Sequence, residues 1–261
     1  MNNQSQNTKT TFLAIGDVHG HWDQVIDAIK SATDILGNIP DLVLQVGDAE
    51  ALRTEEDLAT VHVPNKYRSM GEFSALLPGD LTCPVYFIGG NHECWESLDE
   101  AESKGSVPIA WGPNVHYLGR AGAASIGGLN LAWLSGIQRG EMLTTRGTSR
   151  KERTYYLEAE VAFAKRKGAL LGDIDVVITH DWPSGIREGR GTDLIRSLTE
   201  KLKPQLHVCG HMHASHEATI GKTAVHALNA VPGAGHSGNS YGWWRLYRKE
   251  HGQIRNIYVG S

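Results

Sequence analysis

The chain has 261 residues, of which 40% are hydrophobic and 21% are charged. This composition excludes a disordered or fibrous protein, and the length suits one large domain with a full core. The net charge of −4 is uneven, because residues 1–138 carry seven basic and seventeen acidic side chains whereas residues 139–261 carry 18 and 12. A generally basic nucleic-acid binder is therefore excluded, although a basic patch in the second part is compatible with these counts.

The sequence predicts a cytoplasmic protein that does not enter a membrane. No run of 18 apolar residues is present, and the polar, Asn- and Gln-rich start lacks the apolar run of a secretory signal. The three cysteines form no CxxC pair, which favours a reducing compartment. We expect a disordered tail at residues 1–10 and a single domain over residues 11–261.

Short apolar runs that end at a glycine or a polar cluster predict strands buried on both faces. Five such runs lie at residues 12–15, 42–46, 85–88, 176–179 and 206–209. Helical spacing and stop signals predict three helices, at His21–Ala32, Thr154–Gly168 and Thr192–Lys203. Strands that alternate with helices early in the chain indicate βαβ units and a largely parallel sheet.

Other segments have a different pattern. Residues 115–134 read as short strands with a hairpin turn at Gly127-Gly128, and residues 213–259 read as strands between glycine-rich loops. The segment 49–84 has no clear period and is long enough to be an insertion near a functional site. We therefore expect an α/β first part followed by a hairpin-rich carboxyl-terminal part.

Each of the five predicted strands is followed by side chains that can bind a metal ion. In chain order these are Asp17 and His19, Asp48, Asn91 and His92, His180, and His211 and His213. Ligands bind beyond the carboxyl ends of parallel strands, so these loops are expected to converge. One such residue is usually a turn or cap residue, but five loops with only nitrogen and oxygen donors predict a metal site. A shared carboxylate would allow two ions about 4 Å apart, which suits hydrolysis of phosphate esters by an activated water.

These residues occur in motifs that resemble those of calcineurin-like metallophosphoesterases. The motifs are Gly16–Gly20, Gly47-Asp48, Gly90–Glu93, Thr179-His180 and Gly210–His213. The resemblance implies an α/β fold, namely a four-layer αββα sandwich of mixed sheets with two metal ions at the sheet edge. The hairpin-rich carboxyl-terminal part would complete this sandwich.

The resemblance also implies a role for each motif residue. The first metal would be bound by Asp17, His19, Asp48 and His213, and the second by Asp48, Asn91, His180 and His211. His92 would be the general acid that protonates the leaving oxygen, and Glu93 would orient the ring of His92. The expected cofactors are two divalent ions, drawn from Mn, Fe, Zn and Ni, with Mn favoured.

A finer similarity concerns the substrate. Residues 64–70, 85–93, 113–119 and 180–186 resemble RNA lariat debranching enzymes, which hydrolyse a 2′–5′ phosphodiester bond. This resemblance implies that residues 49–84 face the substrate, with Tyr67 and Arg68 as contacts. Trp182 would either stack on a base or pack at the rim of the metal site. Asp17 stands where debranching enzymes usually carry Cys, which favours two fully bound ions.

Three functions remain open at this point. The favoured one is a phosphodiesterase that acts on nucleic-acid or nucleotide substrates, including RNA, through hydroxide activated by two metals. The second is a phosphomonoesterase or a Ser/Thr-type protein phosphatase, although Gly47–Glu50 lacks the Asp-Arg-Gly continuation usual in those groups. The third is a non-catalytic scaffold with the same fold, which is disfavoured because His92 and all seven ligands are present.

Overall fold

A computed structural model describes residues 9–140, 143–234 and 241–261, which form two mixed sheets, the first with seven strands. The strands are β1 (Thr10–Ile15), β2 (Leu42–Gln45), β3 (Val85–Phe87), β4 (Ile109–Gly112), β5 (Val115–Tyr117), β12 (Trp244–Glu250) and β13 (Gln253–Val259). Their order is β13-β12-β1-β2-β3-β5-β4. The central β1, β2, β3 and β5 are parallel, and antiparallel strands close both edges.

The second sheet has six strands. They are β6 (Ala121–Ile126), β7 (Leu129–Leu134), β8 (Val176–Thr179), β9 (Leu206–Cys209), β10 (His216–Ile220) and β11 (Thr223–Ala227), in the order β10-β11-β9-β8-β7-β6. Four central strands are again parallel, and hairpins form the edges. The predicted Gly127-Gly128 turn is confirmed, since both glycines have positive φ and join β6 directly to β7.

Helices cover the outer face of each sheet. They are α1 (Trp22–Leu36), α2 (Glu55–Thr60), α3 (Trp95–Lys104), α4 (Arg150–Arg153), α5 (Glu158–Leu171) and α6 (Asp193–Leu202), with short 3-10 helices at Asn65–Tyr67 and Phe73–Ala75. The apolar faces of α1 and α3 share a core with the first sheet, and those of α5 and α6 share one with the second. None of the helices described is long and apolar enough to span a bilayer.

The packing of β1 shows how the layers form. Successive side chains of a strand point to opposite faces, so Leu13 and Ile15 join the core under α1. Phe12 and Ala14 point the other way and pack against Val176 and other residues of the second sheet. The two sheets therefore lie face to face between two helical layers. This arrangement confirms the expected α/β fold and its four-layer αββα architecture.

Two predicted helix ends are wrong. The first helix runs to Leu36 and ends at Gly37, whose φ of 70° is the left-handed conformation typical of a C-cap. The helix α5 continues three residues beyond Gly168, the predicted stop. A Cβ at Gly168 would lie 2.7 Å from Leu202 Cδ2, so this glycine allows α5 to approach α6 closely. Tertiary packing outweighs the intrinsic cost of about 1 kcal/mol for a glycine within a helix.

The segment 49–84 folds onto the molecule as a largely irregular stretch around α2 and the two 3-10 helices. Its side chains Val61, Phe73 and Leu81 are buried in the core that also contains α1. At the amino terminus, Thr10 already belongs to β1, so the predicted tail ends before it; residues 1–8 lie outside the described part.

Candidate metal centre

Five parallel strands from the two sheets deliver their following loops to one place. The loops after β1, β2 and β3 come from the first sheet, and those after β8 and β9 come from the second. Together they carry all the ligands predicted from the sequence. The donor atoms form two groups, each lying within 4.8 Å: Asp17, His19, Asp48 and His213 in one, and Asp48, His180 and His211 in the other. The face-to-face packing of the sheets thus joins residues that are nearly 200 positions apart in the chain, such as Asp17 and His213.

The first group is formed around two imidazole nitrogen atoms that face each other. Nε2 of His19 lies 3.1 Å from Nε2 of His213 and 3.7 Å from Oδ2 of Asp48. Nε2 of His213 lies 3.2 Å from Oδ2 of Asp17. The fully buried carboxylate of Asp17 accepts the backbone N–H of His211 at 2.9 Å, which ties the loop after β9 to the loop after β1.

The second group contains His180, which has no exposed surface. Its Nδ1 donates to the carbonyl of Val46 at 3.0 Å, so the neutral ring has a lone pair at Nε2. This nitrogen lies 3.3 Å from Oδ2 of Asp48 and 3.3 Å from Oδ1 of Asn91. Asn91 therefore joins the group as the sequence predicts. Asp48 belongs to both groups, as expected of a carboxylate shared by two ions.

The donor chemistry fits a bound cation. Glu50 only accepts hydrogen bonds, so the 3.0 Å contact with Nδ1 of His19 places the ring proton there and leaves Nε2 as an acceptor. In both groups, nitrogen lone pairs and carboxylate oxygens thus point at one another, an arrangement that a divalent ion satisfies. The set of imidazole, carboxylate and amide donors, without thiolate, suits Mn, Fe, Zn or Ni.

The pKa values of Asp48 and His180 are also shifted by the close approach of carboxylates and imidazole rings. Burial alone raises the pKa of the Asp48 carboxyl, but the charges of His180 and His92 outweigh it and hold this pKa well below its usual value. Burial lowers the pKa of His180, but the negative charges of Asp48 and Asp17 outweigh this effect and raise the pKa to about 10. Without a cation, a proton on His180 balances the two carboxylates. The site therefore requires positive charge.

His92 lies beside the first group as the sequence predicts, but the expected role of Glu93 is wrong. The carboxylate of Glu93 is buried and accepts the backbone N–H groups of Ala49, at 2.7 Å, and Glu50, at 3.2 Å. The carboxylate that lies beside the His92 ring is that of Glu50, whose Oε1 is 3.4 Å from Nδ1. Glu93 thus supports the loop that follows β2, because its side chain turns toward that backbone.

The backbone of the centre is unusual. Eight non-glycine residues of the described part have positive φ, and five of them belong to this centre. These five are His19, Asp48, Glu50, His211 and His213, with φ between 43° and 69°. Gly90 is required for a related reason, since a Cβ there would lie 2.2 Å from Oδ1 of Asp48 and 2.7 Å from Nε2 of His180. Tight loops therefore bring these donors together.

A cavity of about 620 Å³ opens beside His92. It is lined by His19, Gly20, His21, Glu50, Val63, Pro64, Tyr67, Ser69, Gly71, Glu72, His92, His213, Gly233 and Ala234. Tyr67, one of the predicted substrate contacts, is half-exposed on this wall. Arg68 does not line the cavity, and its Nη2 instead donates to the carbonyl of Val61 at 3.4 Å.

Trp182 is not available to stack on a base. Its side chain has no exposed surface, and its indole N–H donates to the carbonyl of Gly210 at 2.5 Å. The ring stacks on His216, with ring centroids 5.8 Å apart. Base stacking by Trp182 is therefore wrong, and its contact with Gly210 agrees with the alternative of packing at the rim of the metal site.

Three titratable residues that line the cavity were absent from the predicted site. Glu50, His21 and Glu72 belong to no recognised motif, although all three line the cavity. Only Glu50 had a usable signal. It follows Asp48 at a spacing of two, as His19 follows Asp17, and such alternate residues can point to the same side of an extended loop.

Comparisons with known proteins agree with this geometry. Residues 10–215 match the family model described as Calcineurin-like phosphoesterase. The lariat debranching enzyme of Drosophila melanogaster is 36% identical over 193 residues, which cover 69% of this chain and 35% of the relative. The Homo sapiens enzyme of the same name is 31% identical over 234 residues, covering 78% and 42%. The first three relatives are covered over 34% to 55% of their length, so the chain spans only part of them.

Solved structures support the fold. The protein TT1561 of Thermus thermophilus has a TM-score of 0.58 at 15% identity, covering 96% of this chain and 99% of that one. GAP50 of Plasmodium has a TM-score of 0.56 at 12% identity, covering 97% and 88%. The family match covers most of the chain and contains every loop of the metal-binding cluster. The chain therefore belongs to the calcineurin-like phosphoesterase family.

Proposed function

We propose that this protein is a phosphodiesterase that acts on nucleic-acid or nucleotide substrates, with two divalent ions, Mn in preference, as cofactors. The observation that carries the proposal is the cavity of about 620 Å³ that continues from the metal centre past His92. A phosphodiester has two organic arms, and the second arm needs space of this kind next to the phosphate. The relatives named lariat debranching enzymes support a branched RNA as the substrate class.

The walls of the cavity suit a nucleoside. Val63 and Pro64 provide apolar surface, and the half-exposed Tyr67 ring provides a face on which a base can stack. All three belong to the segment 49–84, which is consistent with the predicted substrate-facing role of that segment. His21 and Glu72 provide polar groups at the same wall.

The bound ions and the side chains of the centre would have different roles in the hydrolysis. When bound, the two ions would supply Lewis-acid charge for the phosphate and activate the attacking water. Asp48 holds His92 in place by accepting its backbone N–H at 2.7 Å. The ring of His92 lies edge-on to that of His19, with centroids 4.9 Å apart, so His92 is close enough to protonate an oxygen that leaves from the centre.

The proposed cellular location is supported by the cysteines. Cys83, Cys94 and Cys209 are all buried and unpaired. Free thiols of this kind suit a reducing compartment, and we therefore keep the cytoplasm as the proposed location.

The test compares three substrates with Mn-loaded protein: bis-para-nitrophenyl phosphate, para-nitrophenyl phosphate and a 2′–5′ branched RNA. We expect turnover of the diesters in preference to the monoester, and faster cleavage of branched RNA than of a linear RNA of the same sequence. Preference for the monoester would replace the proposal with a phosphomonoesterase. No turnover by protein shown to contain two ions per chain would favour a non-catalytic scaffold.

Variants of Tyr67 test the cavity. Tyr67→Ala should raise KM for the branched RNA about tenfold, because one stacked base contributes about 1–3 kcal/mol. Tyr67→Phe is the matched control and should retain the KM, since it keeps the ring. Equal KM values for the Ala variant and the unmodified enzyme would place the substrate elsewhere.

A variant of His92 tests the proton donor. His92→Ala should retain both ions but lose about 10²–10⁴-fold of kcat toward diesters with a poor leaving group. Nitrophenyl esters, whose leaving group needs little protonation, should lose less. Loss of the ions themselves would show that His92 is a metal ligand instead.

A further inference from the structure

Glu50 is a buried carboxylate that contacts two rings of the site at once. Only 7% of the residue is exposed. Its Oε1 lies 3.0 Å from Nδ1 of His19 and 3.4 Å from Nδ1 of His92. Both distances involve the same oxygen, so a single atom serves a metal ligand and the proposed proton donor.

The ring of His92 offers Glu50 an open partner. Its Nδ1 is buried and makes no hydrogen bond to any described residue, although the Glu50 carboxylate lies beside it. Catalytic hydrogen bonds are often long without substrate and shorten in the complex, so a small ring rotation would form this bond. With Nδ1 turned toward Glu50, Nε2 is the ring atom left for the substrate.

The position of Glu50 is itself supported. Its backbone N–H donates to the buried carboxylate of Glu93 at 3.2 Å, and that of Ala49 donates to the same carboxylate at 2.7 Å. Glu50 has a φ of 43°, a left-handed conformation that is unfavourable for a glutamate. An unfavourable backbone persists only where surrounding contacts enforce it, and Glu93 supplies such contacts.

We propose that Glu50 is a positioning residue for the phosphodiester hydrolysis proposed above. It holds Nδ1 of His19 and Nδ1 of His92 on one oxygen, so that Nε2 of His19 faces the metal ligands and Nε2 of His92 faces the leaving oxygen. The proposal rests on the proposed function, and it adds a residue that couples metal binding to proton donation. Glu93 acts one step further out, by holding the loop of Glu50.

The kinetic test uses Glu50→Ala and Glu50→Gln at saturating Mn. Glu50→Ala should lower kcat for a dinucleotide diester, which has a poor leaving group, about 10–100-fold, and lower it less for bis-para-nitrophenyl phosphate. Glu50→Gln keeps an acceptor oxygen and should recover part of the loss. The control Glu55→Gln removes the same charge from an exposed position five residues away and should leave both rates unchanged.

A double variant separates positioning from a merely structural role. If Glu50 acts on proton donation through His92, Glu50→Ala in a His92→Ala background should cause no further loss of kcat at saturating Mn. An equal loss for both leaving groups, or full additivity of the two substitutions, would overturn the proposal.

A spectroscopic test is independent of turnover. In Zn-loaded protein labelled with ¹⁵N-histidine, the Nδ1–H of His19 should give a protected resonance that disappears in Glu50→Ala and persists in Glu55→Gln. Retention of this resonance in Glu50→Ala would refute the proposal even if the enzyme is active. Failure of the unmodified enzyme to cleave either diester would refute the proposed function instead, so the two failures are distinguishable.

Discussion

Acid should destabilise this protein through His207, a histidine of β9 with no exposed surface. Nε2 of His207 lies 2.8 Å from Oγ1 of Thr179, and Nδ1 lies 2.9 Å from Oγ1 of Thr199. The Thr179 hydroxyl donates to the carbonyl of Asp181 at 2.6 Å, so it accepts from Nε2–H. The Thr199 hydroxyl lies 2.9 Å from Nδ1 and donates to the carbonyl of Ile195 at 3.0 Å, one turn earlier in α6. The ring thus donates its Nε2–H to Thr179, and complete burial favours this uncharged form, so a second proton is unfavourable.

The size of the acid destabilisation follows from the pKa of His207 in the folded protein and in the unfolded chain. Burial lowers the pKa of His207 to about 3 in the folded protein, whereas an unfolded histidine titrates near 6.5. The stability that this neutral ring provides is complete above pH 6.5 and is lost as the pH falls toward 3. In that window the unfolded chain binds one more proton, so the free energy of unfolding falls by about 1.4 kcal/mol per pH unit. Between pH 7.5 and 5.0 the loss is about 2 kcal/mol.

Urea unfolding of metal-free protein at pH 7.5 and 5.0 measures this loss. His207→Asn should be about 1–3 kcal/mol less stable at pH 7.5, because a buried hydroxyl loses its partner. Its further loss on acidification should be smaller than that of the unmodified protein by about 2 kcal/mol. His251→Asn is the control, since His251 is exposed and its left-handed φ of 50° is tolerated by Asn. A parallel loss in His207→Asn and in the unmodified protein would refute the reasoning.

Three other outcomes concern the metal centre. Gly90→Ala should remove a bound ion, because the new Cβ would lie 2.2 Å from Oδ1 of Asp48. The circular dichroism spectrum should stay unchanged, and a normal metal content would contradict this geometry. Trp182→Phe should lower the free energy of unfolding by about 1 kcal/mol, since its bond to Gly210 is lost, and leave KM for branched RNA unchanged. A raised KM at full metal loading would restore the stacking role. Addition of Mn at 100 times its Kd to chelator-treated protein should raise the free energy of unfolding by about 2.7 kcal/mol, and an unchanged Tm would speak against a site in the folded state.

The positions of the proposed metal ligands were predictable because each one lies within four residues of the end of an apolar run. A parallel strand buried on both faces is continuously apolar, so the first polar residue after it marks the edge of the sheet. Asp17 after β1 and His180 after β8 illustrate this rule. The sequence does not show that two separate sheets contribute, because this depends on the packing of Phe12 and other residues between them. The αββα arrangement came from the family resemblance instead.

Other features of the fold and the site were not predictable, because the sequence around them shows too weak a pattern. The helix α3 has only two buried side chains, Trp95 and Leu98, so its charged sequence shows little apolar periodicity. Gly168 looks like a helix stop unless the approach of Leu202 is known. Glu50 reaches its two rings only because the loop takes a left-handed turn, which a sequence pattern does not reveal. Prediction fails in each case where contacts distant in sequence decide the outcome.

The left-handed residues at the metal centre imply a conflict between stability and activity. Each such backbone costs about 1–2 kcal/mol for a residue with a side chain, and glycine would relieve most of that cost. Glycine at His19 or at His213 would therefore relax the chain while it removes a ligand. Selection for heat resistance alone should enrich such changes and produce stable but inactive proteins. On the proposed function, catalysis and backbone stability therefore place opposite demands on these five positions.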